Sequence, residues 1–143
     1  MEMEAPAREL LSQTNIGNLG FHGLDGYPRV IPVWFNFTGD EIQVASPPGA
    51  YKIRCLRADP RAVLTVSTSA TPFRVVSATG QVEIDVIEEP ERIRFVTDIA
   101  TRYLGLDGGR AYIESWARGG PPGPGDLIRL AILRVRYTRV YGE

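Results

Sequence analysis

Short apolar runs recur along most of the chain, and glycine, proline or aspartate residues separate them. Such runs between turn residues are typical of β-strands. Six strands are predicted, over residues 16–22, 29–37, 42–46, 62–66, 73–87 and 127–141. The second run is apolar at nearly every position, which predicts a strand covered on both faces. Gly80, in the middle of the fifth strand, predicts a bulge or a bend.

In three parts of the chain, the apolar residues instead recur at the spacing of a helix. Residues 6–14 predict a short helix that turns Leu10 and Leu11 inward. A second helix is predicted to begin after the Pro/Gly turn at residues 47–49 and to end before Asp59-Pro60. The third part, after Glu88, has an apolar stripe that runs to Leu104, and a further helix is predicted over residues 110–118. It carries Tyr112 and Trp116, which either pack in the core or cover a groove.

The order of these elements predicts a mainly β fold, a closed or nearly closed β-barrel with flanking helices at its ends. The chain has no linker long enough to divide it, so residues 1–143 are expected to form a single domain. The Gly/Pro-rich stretch 119–125 is compatible with neither helix nor strand, and it is either a mobile lid or a connector.

Composition removes several classes of function. A net charge of −1 argues against a nucleic-acid-binding protein. One cysteine and one histidine cannot form a disulfide or an ordinary zinc site. No apolar run approaches the length of a membrane span, and the acidic start is unlike a signal peptide, so we expect a cytoplasmic protein.

The stretch 42–58 contains no acidic residue and holds the single lysine of the protein, Lys52. Lys52, Arg54 and Arg57 fall early in the second predicted helix, where the helix dipole disfavours cations. One interpretation is an anion site, in which a phosphate is held by backbone N–H groups, Ser46 and the basic side chains. The other is a solvated basic face, and electrostatics alone favours the two equally.

The order of elements around Lys52, with the segments GYPRVIPVWF (26–35) and FRVVSATG (73–80), resembles a known family. It is similar to the flavin-binding split β-barrels related to pyridoxamine 5′-phosphate oxidase. Within these, it most resembles the small subgroup that includes deazaflavin (coenzyme F420)-dependent reductases. The resemblance covers residues 10–87 well and the closing strand, residues 134–142, loosely. It implies a six-stranded split barrel of the FMN-binding-protein type.

The resemblance also implies a cofactor groove at the interface of a homodimer. The implied cofactor-binding residues are Pro32, Val33, Trp34 and Phe35 along the flavin or deazaflavin ring, Ser46, Lys52 and Arg54 near the phosphate, Arg57 along the anionic tail, and Val76 and Ser77 beneath the ring. Trp34 and Phe35 point to opposite faces of their strand, so at least one of them is expected in the core. Neither a catalytic side chain nor a metal is implied.

The function implied is an oxidoreductase that transfers hydride from reduced F420 to an electron-poor small molecule such as an enone, a quinone or a tetrapyrrole. Arg54, Arg57 and Arg61 could hold the longer anionic tail of a deazaflavin, which favours F420 over FMN. The alternatives are an FMN-dependent oxidoreductase like pyridoxamine 5′-phosphate oxidase and a non-catalytic flavin or haem binder. Vitamin B6 oxidation is not expected, because Trp34 replaces a lysine common in that enzyme and its C-terminal Trp and Arg pattern is missing.

Overall fold

A computed structural model describes residues 2–119 and 124–140, without the side chains of residues 116–119 and 140. Within these ranges the chain forms seven strands and three helices. In chain order they are α1 (Ala5–Ser12), β1 (Gly17–His22), β2 (Pro28–Val33), β3 (Asn36–Phe37), β4 (Glu41–Ser46), α2 (Tyr51–Ala58), β5 (Arg61–Ser67), β6 (Phe73–Ile87), α3 (Glu91–Gly119) and β7 (Gly125–Val140). The predicted mainly β fold with flanking helices is confirmed.

The strands form one antiparallel sheet in the order β2-β1-β5-β6-β7-β4-β3. The two edge strands, β2 and β3, are separated along the chain by Trp34 and Phe35 alone. Three Cα–Cα steps span at most roughly 11 Å, so the sheet must curl until its edges nearly meet. The result is a barrel that is joined at its seam by the chain itself, as in the split barrel that the sequence predicts.

The second predicted strand differs from the observed structure in two ways. Trp34 and Phe35 interrupt it, so that it becomes β2 and β3 and the sheet has seven strands rather than six. It is also not covered on both faces in the single chain, because alternate residues of β2 are exposed, and 69% of Val30 is accessible to solvent.

The core lies inside the curled sheet, and α1 and α2 supply part of it. Leu10 and Leu11 of α1 are fully buried, as predicted, and Ile53 and Leu56 of α2 are almost so. Gly80 lies at a register shift between β6 and β7, which confirms the predicted irregularity. A Cβ atom on Gly80 would collide with the carbonyl oxygen of Ala131, so the two strands approach too closely for any side chain there.

Two helical segments meet in α3, as the sequence predicts. Gly105 divides them with φ 78° and ψ 176°, a conformation that glycine adopts without strain. In the described ranges, no helix has the length and hydropathy needed to cross a membrane. The Gly/Pro-rich stretch 119–125 lies mostly outside the described residues, and so does the side chain of Trp116, so the predictions made for them stay predictions.

Candidate functional site

Two adjoining cavities form a groove between the sheet and α3. The first chamber has a volume of about 220 Å³, and Pro32, Val33, Trp34, Val44, Lys52 and Ile99 line it. The second chamber has a volume of about 150 Å³, and Ser46, Pro47, Ile87, Arg92 and Asp126 line it. Ala45, Val96 and Tyr112 line both chambers, so the two cavities are parts of one groove.

Lys52 is the cation of the first chamber. It lies in the first turn of α2 and is half-buried, and this burial lowers the pKa of its ammonium group. No hydrogen bond or ion pair joins Lys52 to another residue in the described part of the chain. A partly desolvated ammonium without a counter-charge is unfavourable, so an anion in this chamber would offset a cost that the protein alone leaves in place.

The other arginines near α2 lie outside both chambers. Arg54 is exposed, and its guanidinium lies 5.3 Å from the centre of the Tyr51 ring. Arg57 is exposed and lies 4.0 Å from Asp126. Arg61 binds both carboxylate oxygens of Asp59, at 3.0 and 2.7 Å, which lowers the pKa of that carboxyl group. The structure thus brings only Lys52 of this basic group into the groove.

Trp34 and Phe35 have different surroundings, as their opposite orientations predict. Phe35 is fully buried in the core. Trp34 lines the first chamber and stacks on Tyr103, with ring centres 5.3 Å apart and planes 7° apart, and it also contacts Tyr112 at 5.3 Å. Because Trp34 lies between two strands, its backbone amide and carbonyl take part in none of the hydrogen bonds found among the described residues.

Two side chains of α3 hold the interruption between β2 and β3. The Tyr103 hydroxyl accepts a hydrogen bond from the Phe35 amide at 3.2 Å and donates one to the Asn15 carbonyl at 2.9 Å. Arg102 donates to the Phe35 carbonyl at 2.9 Å and to the Gln13 carbonyl at 2.8 Å. Burial raises the pKa of Tyr103, which keeps its hydroxyl protonated as a donor. These bonds use the backbone groups of Phe35 and leave those of Trp34 available.

Of the residues predicted to bind the cofactor, five line the groove: Pro32, Val33, Trp34, Ser46 and Lys52. The other five, Phe35, Arg54, Arg57, Val76 and Ser77, do not line either chamber.

Val76 and Ser77 are remote along the sheet. Strand β4 pairs with residues 126–131 of β7, whereas Ser77 pairs with Arg136 and Val76 with Tyr137. Val76 is fully buried in the core. The roles of all ten residues in cofactor binding remain predictions.

Two charged residues of the second chamber were not found by sequence analysis. Arg92 and Asp126 are each only 5% exposed. The Asp126 carboxylate accepts a hydrogen bond from the Gly49 amide at 3.2 Å and lies 4.0 Å from the Arg57 guanidinium. Arg92 follows an acidic stretch that is typical of an ordinary helix start, and Asp126 follows the Gly/Pro-rich stretch, so neither has a local pattern that indicates a site.

Comparison with known proteins agrees with this fold. A family model described as pyridoxamine 5′-phosphate oxidase matches residues 3–139. A conserved hypothetical protein from Mycobacterium tuberculosis, Rv2991, superposes with a TM-score of 0.74 at 25% identity, over 97% of this chain and 86% of that one. An F420 reductase has a TM-score of 0.72 at 22% identity, over 94% and 98% of the two chains. For an FAD-binding protein from Mesorhizobium loti the TM-score is 0.60 at 21% identity, with 94% of each chain covered. No curated protein matches the chain.

Proposed function

Because this chain belongs to the pyridoxamine 5′-phosphate oxidase family of flavin-binding split barrels, we propose that it is an oxidoreductase whose cofactor is F420. Its substrate is an electron-poor small molecule, such as an enone, a quinone or a tetrapyrrole. The observation that carries the proposal is Lys52, a half-buried cation with no counter-charge in the described part of the chain, at the wall of the groove between the sheet and α3. An anionic cofactor supplies that counter-charge.

The residues of the first chamber fit a flat, tricyclic ring with a phosphate on its side chain. Val44, Val96 and Ile99 offer an apolar slot for the ring faces. The amide and carbonyl of Trp34, which make no hydrogen bond with the described residues, can pair with the polar edge of the ring. Lys52, which lines the same chamber, then holds the phosphate.

The chain's own contribution to the reaction is orientation and exclusion of water. When bound, a reduced deazaflavin supplies the hydride, so the protein needs neither a nucleophile nor a metal of its own. Tyr103 and Arg102 fix the Trp34–Phe35 segment, and Tyr112 covers the groove from α3. Asp126 accepts a hydrogen bond from the Gly49 amide, and we propose that the proton for the reaction comes from solvent.

We also propose that the protein acts as a homodimer. Three large apolar side chains near the β1–β2 hairpin are well exposed in the single chain, at 51% for Leu24, 70% for Tyr27 and 69% for Val30. A second copy could cover this surface and complete the groove. Light scattering tests the dimer, and a monomer at micromolar concentration would contradict a shared groove.

The test of function has a binding part and a turnover part. The purified protein is titrated separately with F420 and with FMN, and cofactor fluorescence is followed. Reduced F420 is then mixed anaerobically with a panel of enones and quinones, and its oxidation is measured. We expect tight binding of F420 and protein-dependent oxidation with at least one acceptor.

The two parts separate the proposal from its alternatives. Preference for FMN would assign the protein to the flavin branch, which is the second candidate because the matching family model is that of an oxidase of that branch. Binding of F420 without oxidation by any acceptor would instead favour a carrier. Failure of both cofactors to bind would refute the proposed function.

A further inference from the structure

We propose that Asp126 is a positioning residue for Lys52, and that it acts through a hydrogen bond to the turn that precedes α2. In this role Asp126 does not touch the cofactor. The inference rests on the proposed function and adds to it the group that fixes the phosphate-binding lysine in the groove. It follows from the place of Asp126 in the sheet, from the contacts of its carboxylate and from the way in which α2 begins.

Asp126 lies beside the point where β4 ends. It belongs to the neighbouring strand β7 and is the register partner of Ser46, the last residue of β4. Both residues are buried, and both line the second chamber. A buried carboxylate is costly unless polar groups offset its desolvation, so the contacts of Asp126 indicate what keeps it there.

The two carboxylate oxygens of Asp126 contact the chain on either side of Lys52. Oδ2 accepts a hydrogen bond from the amide of Gly49, which precedes α2, at 3.2 Å. Oδ1 lies 4.0 Å from the guanidinium of Arg57, in the last turn of α2. Among the hydrogen bonds of the described residues, the bond from Gly49 is the one that joins residues 47–50 to an element other than β4 or α2.

The start of α2 depends on this bond because the helix has no cap of its own. Ala50, at the N-cap position, makes no side-chain hydrogen bond to the first turn, and that turn carries no acidic residue. Lys52 and Arg54 place positive charge there, which the helix dipole disfavours. The Asp126 carboxylate supplies, from β7, an acceptor and a negative charge close to the helix start. Without the acceptor, the first turn of α2 and Lys52 within it should be held less firmly.

The sign of the expected effect separates positioning from direct electrostatics. Asp126 brings a negative charge to a groove whose proposed cofactor is an anion. Removal of a charge of the same sign as the ligand should by itself strengthen binding. If Asp126 positions Lys52, removal of its hydrogen bond should weaken binding instead.

The experiment measures dissociation constants by fluorescence titration with F420 and with its deazaflavin chromophore alone, which lacks a phosphate. The proteins are the wild type, Asp126→Ala, Asp126→Ser, Asp126→Asn and a matched control, Glu83→Gln. Asparagine keeps an acceptor for the Gly49 amide, whereas alanine has none and serine is too short to reach it. Glu83 is an exposed carboxylate on the neighbouring strand β6, and it lines neither chamber. The serine variant keeps a polar side chain, so the test does not depend on the folding of the alanine variant.

We expect Asp126→Ala and Asp126→Ser to bind F420 roughly 3- to 10-fold more weakly than the wild type, which is the effect of one net hydrogen bond. Asp126→Asn should bind F420 at least as tightly as the wild type, and Glu83→Gln should bind it equally. The chromophore without a phosphate should bind all five proteins alike. In a Lys52→Ala background, Asp126→Ala should cause no further weakening, because its effect is transmitted by Lys52.

Hydrogen exchange of the cofactor-free proteins tests the tether separately from binding. The amides of residues 49–53 should exchange faster in Asp126→Ala and Asp126→Ser than in the wild type and Asp126→Asn. Equal exchange in all of these proteins would refute the tether, whether or not the wild type binds F420.

The binding data can overturn the inference in three ways. Unchanged or tighter binding of F420 to Asp126→Ala and Asp126→Ser would show that Asp126 does not position Lys52. Equal weakening in the Lys52→Ala background would show that Asp126 acts independently of Lys52. Equal weakening of F420 and of the chromophore, with a lower melting temperature, would show that its role is structural. Failure of the wild-type protein to bind F420 or FMN would instead refute the proposed function, on which this inference rests.

Discussion

The Tyr103 hydroxyl is one of the two side-chain groups that hold the seam of the barrel, and its removal gives a quantitative test. In Tyr103→Phe, the Phe35 amide loses its acceptor and the Asn15 carbonyl loses its donor, whereas the ring that stacks on Trp34 is kept. Each net hydrogen bond contributes on the order of 1 kcal/mol, and Phe35 is fully buried, so its freed amide is not rehydrated. We expect a loss of about 2 kcal/mol in the free energy of unfolding.

That loss can be converted into a melting temperature. Unfolding entropy scales with chain length at roughly 2.1 cal/mol/K per residue, which gives about 0.3 kcal/mol/K for 143 residues. The melting temperature should therefore fall by about 7 °C. Differential scanning calorimetry measures it, with all proteins at one concentration because association makes the melting temperature depend on concentration.

Tyr112→Phe is the matched control, since the Tyr112 hydroxyl makes no hydrogen bond with the described residues and the side chain is 40% exposed. We expect the control to melt within about 1 °C of the wild type. An equal shift in both variants, or no shift in Tyr103→Phe, would refute the view that Tyr103 fixes the interruption between β2 and β3.

Three further predictions concern stability and pH. Gly80→Ala should cost about 3 kcal/mol, because its methyl group would collide with the Ala131 carbonyl, and an unchanged urea midpoint would contradict the close approach of β6 and β7. A hydrogen bond from Arg129 lowers the pKa of Glu41 below its ordinary value of 4.5. The pair therefore stabilises the folded protein above pH 4.5, and this stabilisation is lost as the pH falls through the lowered pKa of Glu41. Below about pH 5, the urea midpoint of Arg129→Gln should therefore decrease less with falling pH than that of the wild type. An equal decrease of the urea midpoint in both proteins would contradict this role of the pair. Affinity for a phosphate-bearing cofactor should fall as the pH rises through the Lys52 pKa, which burial places below 10.5, and Lys52→Arg should keep its affinity there. An equal fall in Lys52→Arg would exclude Lys52 as the titrating group.

The sequence was sufficient for features that depend on local pattern. Apolar runs between turn residues located the long strands, and Gly80 marked the irregularity in β6. The apolar stripe of α3 ends at Leu104, next to Gly105, which divides the helix. Lys52 was found because acidic residues are absent around it. These features each have their cause within a few residues of the chain.

Features with distant causes were not predicted. The interruption at Trp34 and Phe35 depends on Arg102 and Tyr103, 67 and 68 positions away, and nothing in the apolar run itself indicates a break. The Arg92 side chain packs against the backbone of Gly125, which belongs to another element. The exposure of one face of β2 depends on which parts of the folded chain pack over that face, and the apolar run itself does not show this.

The central claim is that Lys52 completes an anion site for a deazaflavin cofactor. The most direct measurement is a fluorescence titration of F420 into the wild-type protein, Lys52→Ala and Arg54→Ala, in which the second variant removes a neighbouring cation that lies outside the groove. We expect saturable binding to the wild type, a similar affinity for Arg54→Ala, and an affinity weaker by roughly 10-fold or more for Lys52→Ala. Equal binding to all three proteins, or binding to none, would contradict the claim.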